Sequence, residues 1–243
     1  SRDFGNTVSA IEADGFAIAE RVESLMASDT PAGIAKSIGI GVVGLAQVYA
    51  RLKPDLLLLC GDRFEVIAAA AAAVPFVLPM AHLHGGELTE GAFDDQIRHA
   101  ITKMSHLHFA TTPRCVERIV QMGEEPWRVI RSGAPALDNL RTMAFLSREA
   151  LEQRVGLRLD PAPLVVTYHP VTMEYGRGPA AVDELLTALT GLGRPIVITA
   201  PNADTGNSDI KAAMQQFART EPNVVFVESL GTDRVDVVDL RRA

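Results

Sequence analysis

Cysteine is scarce in this chain of 243 residues, which has only Cys60 and Cys115. Each lies beside apolar sequence and no C-x-x-C pair occurs, so buried free thiols in a reducing cytoplasm are expected rather than a disulfide. Basic residues are also few, because 23 Lys and Arg stand against 30 Asp and Glu, for a net charge of −7. This balance argues against non-specific nucleic-acid binding, which relies on a basic surface.

No apolar run is expected to span a membrane. The most apolar window, residues 66–81, is shorter than the ~20 residues that a spanning helix needs, and Pro75 and Pro79 interrupt it. The polar start S-R-D-F-G-N does not resemble a secretory signal. These features predict a cytoplasmic protein that does not bind membranes, and the first residues are those expected inside a longer protein.

What the sequence does contain is an alternation of short apolar runs with helical stretches. The apolar runs occur at residues 55–61, 76–82, 107–110 and 129–131, and again at residues 164–168, 195–199 and 223–227. This alternation is typical of parallel sheets covered by helices on both faces. It predicts an α/β protein with two Rossmann-like domains, residues 1–158 and 159–243, joined by a linker that ends in D-P-A-P.

Ionisable residues gather just beyond the predicted strands of the first domain and on the helix that follows. They are Asp62, Arg63, His84, Glu87, Asp94 and Arg98. Charges at the ends of buried strands do not stabilise a soluble domain, whereas substrates bind at the carboxyl ends of parallel strands. The sequence therefore favours an enzyme with a site at this edge of the sheet.

Each cluster also has a purely structural interpretation. Asp62 could be a helix cap, although the helix N-terminus with Arg63 beside it suits an anion such as a phosphate. His84 and Glu87 flank a Gly-Gly pair that would let a ligand approach the backbone closely. The H-x-H pair that ends at His84 has no clear third ligand, so no metal is expected.

The helix predicted over residues 94–104 offers two acidic candidates. Asp94 and Arg98, one turn apart, border its apolar stripe, whereas Asp95 and His99 are expected to point further toward solvent. Asp94 is therefore preferred over Asp95, although an ordinary surface ion pair would look the same in sequence. The helix follows the Glu87 cluster after one short loop, which favours a place in the site.

Two predicted strands of the second domain also end in polar loops. One ends in T-Y-H-P, which includes His169, and the next ends in P-N-A-D-T-G, which includes Asn202 and Asp204. Polar loops at successive strand ends suggest that both domains contribute to one ligand site.

A glycine motif at residues 39–44, G-I-G-V-V-G, has the spacing of a dinucleotide-binding loop. That loop requires a strand directly before it, whereas residues 31–38 continue a helix that starts at Thr30-Pro31. An NAD-dependent oxidoreductase therefore remains an alternative function. A helix that runs without interruption from Pro31 through the glycine motif would exclude it. The other interpretation is that the glycines let this helix pack closely against a neighbour.

Taken in order, these segments resemble the hydrolysing UDP-N-acetylglucosamine 2-epimerases of sialic-acid and legionaminic-acid pathways. The matching pieces are S-D-T-P, K-P-D-L-L-L-L-C-G-D-R-F-E, A-H-L-H-G-G-E, I-R-H-A-I-T-K-M-S-H-L-H-F, T-Y-H-P-V-T and P-N-A-D-T-G. The resemblance implies a GT-B-like pair of Rossmann-like domains and a UDP-sugar substrate. It implies no metal or redox cofactor, and a homo-oligomeric parent protein.

The implied reaction removes the C2 proton of the sugar, expels UDP to leave a glycal, and adds water to release N-acetylmannosamine. By motif position, the resemblance implies catalytic or near-catalytic roles for Asp62, Asp94 and His169, and substrate contacts for Arg63, Asn202 and Asp204. Glu87 is a further catalytic candidate because it is the nearest carboxylate after the glycines, and His84 and Arg98 are further candidate substrate contacts. Some members carry a glutamate where this chain has His84, so whether His84 or Glu87 takes that role stays open.

The resemblance also implies that the chain is cut at both ends. The substrate-binding loop at the start of the family and its two late UDP-binding loops have no counterpart here. The first strand is therefore expected to be missing and the second domain to be incomplete, with low activity in residues 1–243 alone. A diacetamido sugar remains an alternative substrate, and a catalytically silent α/β module is an alternative class.

Overall fold

The computed structural model describes residues 8–28, 30–142, 145–169, 171, 173, 178–201 and 207–228. Its helices are α1 (Val8–Ala13), α2 (Pro31–Leu52), α3 (Phe64–Ala73), α4 (Asp94–Met104), α5 (Pro113–Gln121), α6 (Ala136–Thr142), α7 (Arg148–Val155), α8 (Gly178–Leu189) and α9 (Asn207–Thr220). Its strands are β1 (Leu57–Cys60), β2 (Met80–Leu83), β3 (Leu107–Ala110), β4 (Val129–Arg131), β5 (Leu164–Thr167), β6 (Ile196–Thr199) and β7 (Val224–Val227).

The chain forms two compact units. The first unit is Ala17–Asn139, and the second unit is Ser1–Phe16 together with Leu140–Ala243. The sequence places a domain boundary near residue 158, whereas the structure places helix α7 in the second unit. The reason is packing, because the apolar side chains Leu151, Val155 and Leu159 form one buried cluster with Val197 of β6.

The first unit is built on a parallel sheet with the strand order β1-β2-β3-β4. Its strands are short apolar runs, and helices α3, α4 and α5 make the parallel crossovers between them. Leu59, Met80 and Ile101 lie in the largest buried cluster, so the sheet and the flanking helices share one core. This arrangement brings all the carboxyl ends of the strands to one edge.

Helix α2 runs without interruption through the glycine motif. The side chain of Thr30 caps its start by accepting a hydrogen bond from the Gly33 N–H, and Pro31 occupies the first turn. A Cβ on Gly41 would lie 2.9 Å from the Ala68 Cβ of α3, so this glycine allows close helix packing. With no strand before it, the motif is not a dinucleotide-binding loop, and the oxidoreductase alternative is wrong.

By length and composition alone, α2 could cross a membrane, and no other helix among the described residues meets that test. Core helices of other proteins meet the same test, and Ile34, Val48 and Tyr49 of α2 are buried in the cluster that contains Leu59. The most apolar window of the sequence, residues 66–81, does not include α2. The absence of a membrane partner therefore stays a prediction.

The second unit contains a separate parallel sheet with the order β5-β6-β7. Ile196 and Ile198 of β6 are fully buried against Val182 of α8 and against Ile210 and Met214 of α9. The alternation predicted from the sequence is therefore present in both units, although several strands are shorter than expected. Helices α1 and α6 were not anticipated, and Phe76, the first residue of the second apolar run, belongs to the 3-10 turn Val74–Phe76 instead of a strand.

Both cysteines are free, as expected, but their environments differ. Cys115 is buried, whereas Cys60 is exposed. The exposure of Cys60 corrects the expectation that both thiols are buried, and it follows from the position of β1 at the edge of the sheet.

Candidate active site

The strand register of the first unit aligns the loops that carry the predicted site residues. Cys60 of β1 pairs with Leu83 of β2, which pairs with Phe109 of β3. The loops after these residues contain Asp62, then His84, then Thr111 in neighbouring positions. The backbone N–H of His84 donates to the Phe109 carbonyl, 3.1 Å away, so the second loop leaves the sheet in a fixed direction.

Arg98 is the centre of one polar network at this edge. Its guanidinium donates to the Asp62 carboxylate, to Asp95 Oδ1 at 2.7 Å, to the Glu87 carbonyl at 2.8 Å and to Thr89 Oγ1 at 2.8 Å. The Arg98 side chain is only 5% exposed, and burial lowers its pKa below the usual range. Arg98 therefore holds Asp62 and the loop after β2 in place, and a substrate contact for it stays a prediction.

The same network corrects the expected orientation of α4. Asp95 was expected to point toward solvent, yet its Oδ1 accepts hydrogen bonds from Arg98 and from the Thr89 N–H at 2.7 Å. The physical reason is the loop after β2, which folds back over the first turn of α4 and offers a backbone donor there. Asp94, the preferred candidate, lies half-buried in that first turn, and its catalytic role stays a prediction.

A second group of polar side chains is centred on Glu87. His84 Nδ1 lies 2.9 Å from Glu87 Oε1, and Thr111 Oγ1 donates to the same oxygen at 2.8 Å. His84 and Glu87 are partly exposed, at 27% and 35% of their side chains. The two residues that competed for one role in the sequence are therefore direct partners in the structure.

His82 points into the core rather than toward a ligand. Its Nε2 lies 2.9 Å from the Gly61 carbonyl, and its Nδ1 lies 3.1 Å from Thr102 Oγ1 of α4. Burial lowers the pKa of His82 from 6.5 to about 4, although the bond to Gly61 opposes the shift. His82 therefore fixes the loop that carries Asp62 and is not a partner of His84 in a metal site.

The Gly-Gly pair is required by packing within the protein. A Cβ on Gly86 would lie 2.4 Å from the Cys115 carbonyl oxygen, and a Cβ on Gly85 would lie 3.0 Å from Thr102 Oγ1. Arg118 of α5 also donates a hydrogen bond to the Gly86 carbonyl. The glycines let the loop sit against α5, and no open space for a ligand is needed to explain them.

Four further site residues were predicted from the sequence: Arg63, His169, Asn202 and Asp204. Arg63 pairs with Glu65 at 3.3 Å, and its side chain is 39% exposed; a substrate contact for it stays a prediction. His169 is exposed beyond β5 in the second unit. Asn202 and Asp204 lie outside the described residues.

A buried polar network that the sequence does not indicate joins β3 to the segment after α5. His108 of β3 lies 3.1 Å from Glu124, which also accepts a hydrogen bond from Lys103. Burial lowers the pKa of His108. Burial alone would raise the pKa of Glu124, but the hydrogen bonds from Lys103 and His108 lower it. No local signal in the sequence pairs these residues, because they lie on separate elements.

Among the described residues, no cluster of three or more His, Cys, Asp or Glu side chains is placed to hold a metal ion. The first unit therefore offers carboxylates, imidazoles and fixed cations at the carboxyl edge of a parallel sheet. This combination is typical of the class of α/β proteins that bind small ligands at that edge.

Comparison with known proteins identifies the family within that class. The model for UDP-N-acetylglucosamine 2-epimerases matches residues 1–240, and the chain belongs to this family. The chain is 35% identical over 227 residues to the UDP-N,N'-diacetylbacillosamine 2-epimerase (hydrolyzing) of Legionella pneumophila. It is 34% identical over 236 residues to the GDP/UDP-N,N'-diacetylbacillosamine 2-epimerase (hydrolyzing) of Campylobacter jejuni.

These alignments cover 93% and 96% of this chain but 60% and 61% of the relatives. The chain thus spans about three fifths of their length. The crystal structure of the Neisseria meningitidis UDP-GlcNAc 2-epimerase bound to UDP-GlcNAc has a TM-score of 0.72 at 18% identity. That similarity covers 94% of this chain and 62% of that one, and it confirms the predicted GT-B-like α/β fold class.

Proposed function

We propose that the protein is a hydrolysing 2-epimerase that converts UDP-N-acetylglucosamine to N-acetylmannosamine and UDP. The observation that carries the proposal is the cluster of Asp62, Arg98, His84 and Glu87 at one sheet edge in a member of this family. The C2 proton leaves, the C1–O bond breaks with its electrons on UDP, and a C1=C2 bond forms. Water then adds across that bond, with hydroxyl at C1 and a proton at C2.

This chemistry needs proton-transfer groups at C2 and positive charge for the departing UDP. Asp62, Glu87, Asp94 and His169 are the proposed proton-transfer or near-catalytic groups. Arg63, His84, Asn202 and Asp204 are the proposed substrate contacts. Arg98 is a further proposed contact because of its position on α4, and its hydrogen bonds within the protein support a positioning role.

A second candidate substrate is a UDP-linked diacetamido sugar. The specific observation in its favour is that two relatives, at 35% and 34% identity, are both named for N,N'-diacetylbacillosamine. Both candidates follow the same elimination and hydration. A cytoplasmic location, a sialic-acid type of pathway and a homo-oligomeric protein are further parts of the proposal.

The test is to incubate the purified protein with each UDP-sugar in D₂O. Released UDP is measured by anion-exchange chromatography, and the free sugar is identified by proton NMR. The proposal expects UDP and a 2-epimeric free sugar that carries deuterium at C2. Folded protein that releases no UDP from either sugar contradicts the proposed function, and the ratio of the two rates decides between the sugars.

A further inference from the structure

We propose that His84 is the general base that removes the C2 proton and that Glu87 is the positioning residue that orients it. This inference rests on the proposed function and changes the role of His84 from substrate contact to catalytic residue. It also assigns separate tasks to the two residues that competed for one role in the sequence.

The first observation is the backbone of His84. Its φ is +65°, in the left-handed region that only a few per cent of non-glycine residues adopt, although histidine does so more often than most. Such strain persists only where surrounding contacts fix the chain, and it is concentrated at functional sites. Here the His84 N–H is bonded to Phe109, and the next two residues, Gly85 and Gly86, are packed against Thr102 and Cys115.

The second observation is the way the imidazole is held. Glu87 Oε1 lies 2.9 Å from Nδ1, and an ionised carboxylate can only accept a hydrogen bond. Nδ1 therefore carries the proton in the neutral ring, and Nε2 keeps a lone pair. Thr111 fixes the carboxylate by donating to it at 2.8 Å, and no hydrogen bond to Nε2 is found within the described part of the chain.

The third observation distinguishes His84 from Asp62. A proton placed on Asp62 would remove a negative charge from beside Arg98, a guanidinium that is only 5% exposed. Arg98 would then keep only one of its two carboxylate partners, Asp95, and a buried cation that loses part of its compensating charge is unfavourable. A proton placed on His84 instead creates a cation beside the Glu87 carboxylate, the arrangement by which a carboxylate supports a catalytic histidine.

The proposed step balances as follows. The Nε2 lone pair takes the proton from C2, and the electrons of the C2–H bond form the C1=C2 bond. The C1–O bond breaks and UDP leaves with its electron pair. The imidazolium, paired with Glu87, then returns its proton to solvent before the next turnover.

The decisive variant is His84→Asn, because asparagine tolerates a positive φ and lacks the imidazole. Val77→Asn is the matched control, since Val77 also has a positive φ, of 53°, and its side chain is exposed in the turn before β2. We expect His84→Asn to lower kcat for UDP release by ~10²–10⁴-fold, the usual contribution of a general base. UDP binding and the activity of Val77→Asn should stay close to wild type.

Glu87→Ala tests the orienting role because it removes the acceptor beside Nδ1. In the wild type, ¹⁵N NMR of the His84 ring should show the tautomer with hydrogen on Nδ1, and Glu87→Ala should redistribute the two tautomers and lower kcat. An unchanged tautomer in folded Glu87→Ala overturns the orienting role.

Three outcomes with the enzyme are decisive. His84→Asn with wild-type kcat, or with only a raised KM, overturns the assignment and returns His84 to a substrate contact. A wild type that releases UDP while His84→Asn does not supports it, provided circular dichroism shows both to be folded. A folded wild type that acts on neither UDP-sugar refutes the proposed function itself, and the base assignment falls with it.

Discussion

Acidification should destabilise the first unit through His82. The ring is fully buried, and burial lowers its pKa from 6.5 to about 4. Because the folded pKa lies below the unfolded one, the neutral ring stabilises the fold fully above about pH 6.5. That contribution is lost as the pH falls toward 4, where the unfolded chain has taken up a proton that the folded chain has not.

The expected size follows from the same values. A fall in pKa from 6.5 to about 4 corresponds to about 3 kcal/mol of preference for the neutral ring. We expect the free energy of unfolding of the first unit to decrease by about this amount between pH 7.5 and pH 4 on account of His82 alone. The buried His108, whose pKa is also lowered by burial, should add to the decrease.

The assay compares the wild type with His82→Gln, whose side-chain amide can still donate to the Gly61 carbonyl but does not titrate. Urea unfolding is followed at several pH values through the NMR amide signals of β2, which report on the first unit. The variant should be less stable at pH 7.5, and the difference should shrink as the pH falls, while His108 contributes equally to both. A difference that stays constant with pH would refute the reasoning.

Three further predictions concern the remaining features. Gly39→Ala should stabilise the chain by about 0.5–1 kcal/mol, because the position is helical and no neighbouring atom lies within 4 Å of the added Cβ. Gly41→Ala should instead destabilise the chain, and equal effects of the two variants in urea unfolding would contradict the packing of α2 on α3. Cys60 should react with a thiol reagent in the native protein, and Cys115 should react only after unfolding. Peptide mapping by mass spectrometry measures both reactions, and labelling of Cys115 in the native protein would contradict its burial. Asp62→Asn should lower turnover by ~10² or more with little change in UDP affinity; turnover like that of the wild type would leave Asp62 only as the partner of Arg98.

Helix α4 and strand β3 were predicted from the sequence with the bounds that the structure has. Both are bordered by strong local signals, since Ile97, Ile101 and Met104 repeat at helical spacing and a polar residue precedes the strand. Strand β2 was placed too early, because the chain takes a left-handed turn at Val77 that no glycine marks. Local sequence signals therefore predict the type of an element well but the position of a turn poorly.

Within the candidate site, the sequence could indicate which residues gather but not how they pair. Asp62, His84, Glu87 and Arg98 were all selected because they follow apolar runs or lie on the next helix. The pairing of Arg98 with Asp62, and of Thr111 with Glu87, depends on segments that are distant in the chain and meet at the sheet edge. Such pairings are long-range contacts, and helical or strand periodicity contains no information about them.

The guanidinium of Arg98 joins segments that are distant in the chain: the loop after β1, the loop after β2 and the first turn of α4. Segments tied through one buried cation cannot open separately, because releasing any of them leaves that cation with fewer partners. They should therefore behave as one cooperative unit in native-state hydrogen exchange. The amides of Thr89 and of the first bonded turn of α4 should then exchange with similar opening free energies, and replacing Arg98 should uncouple them.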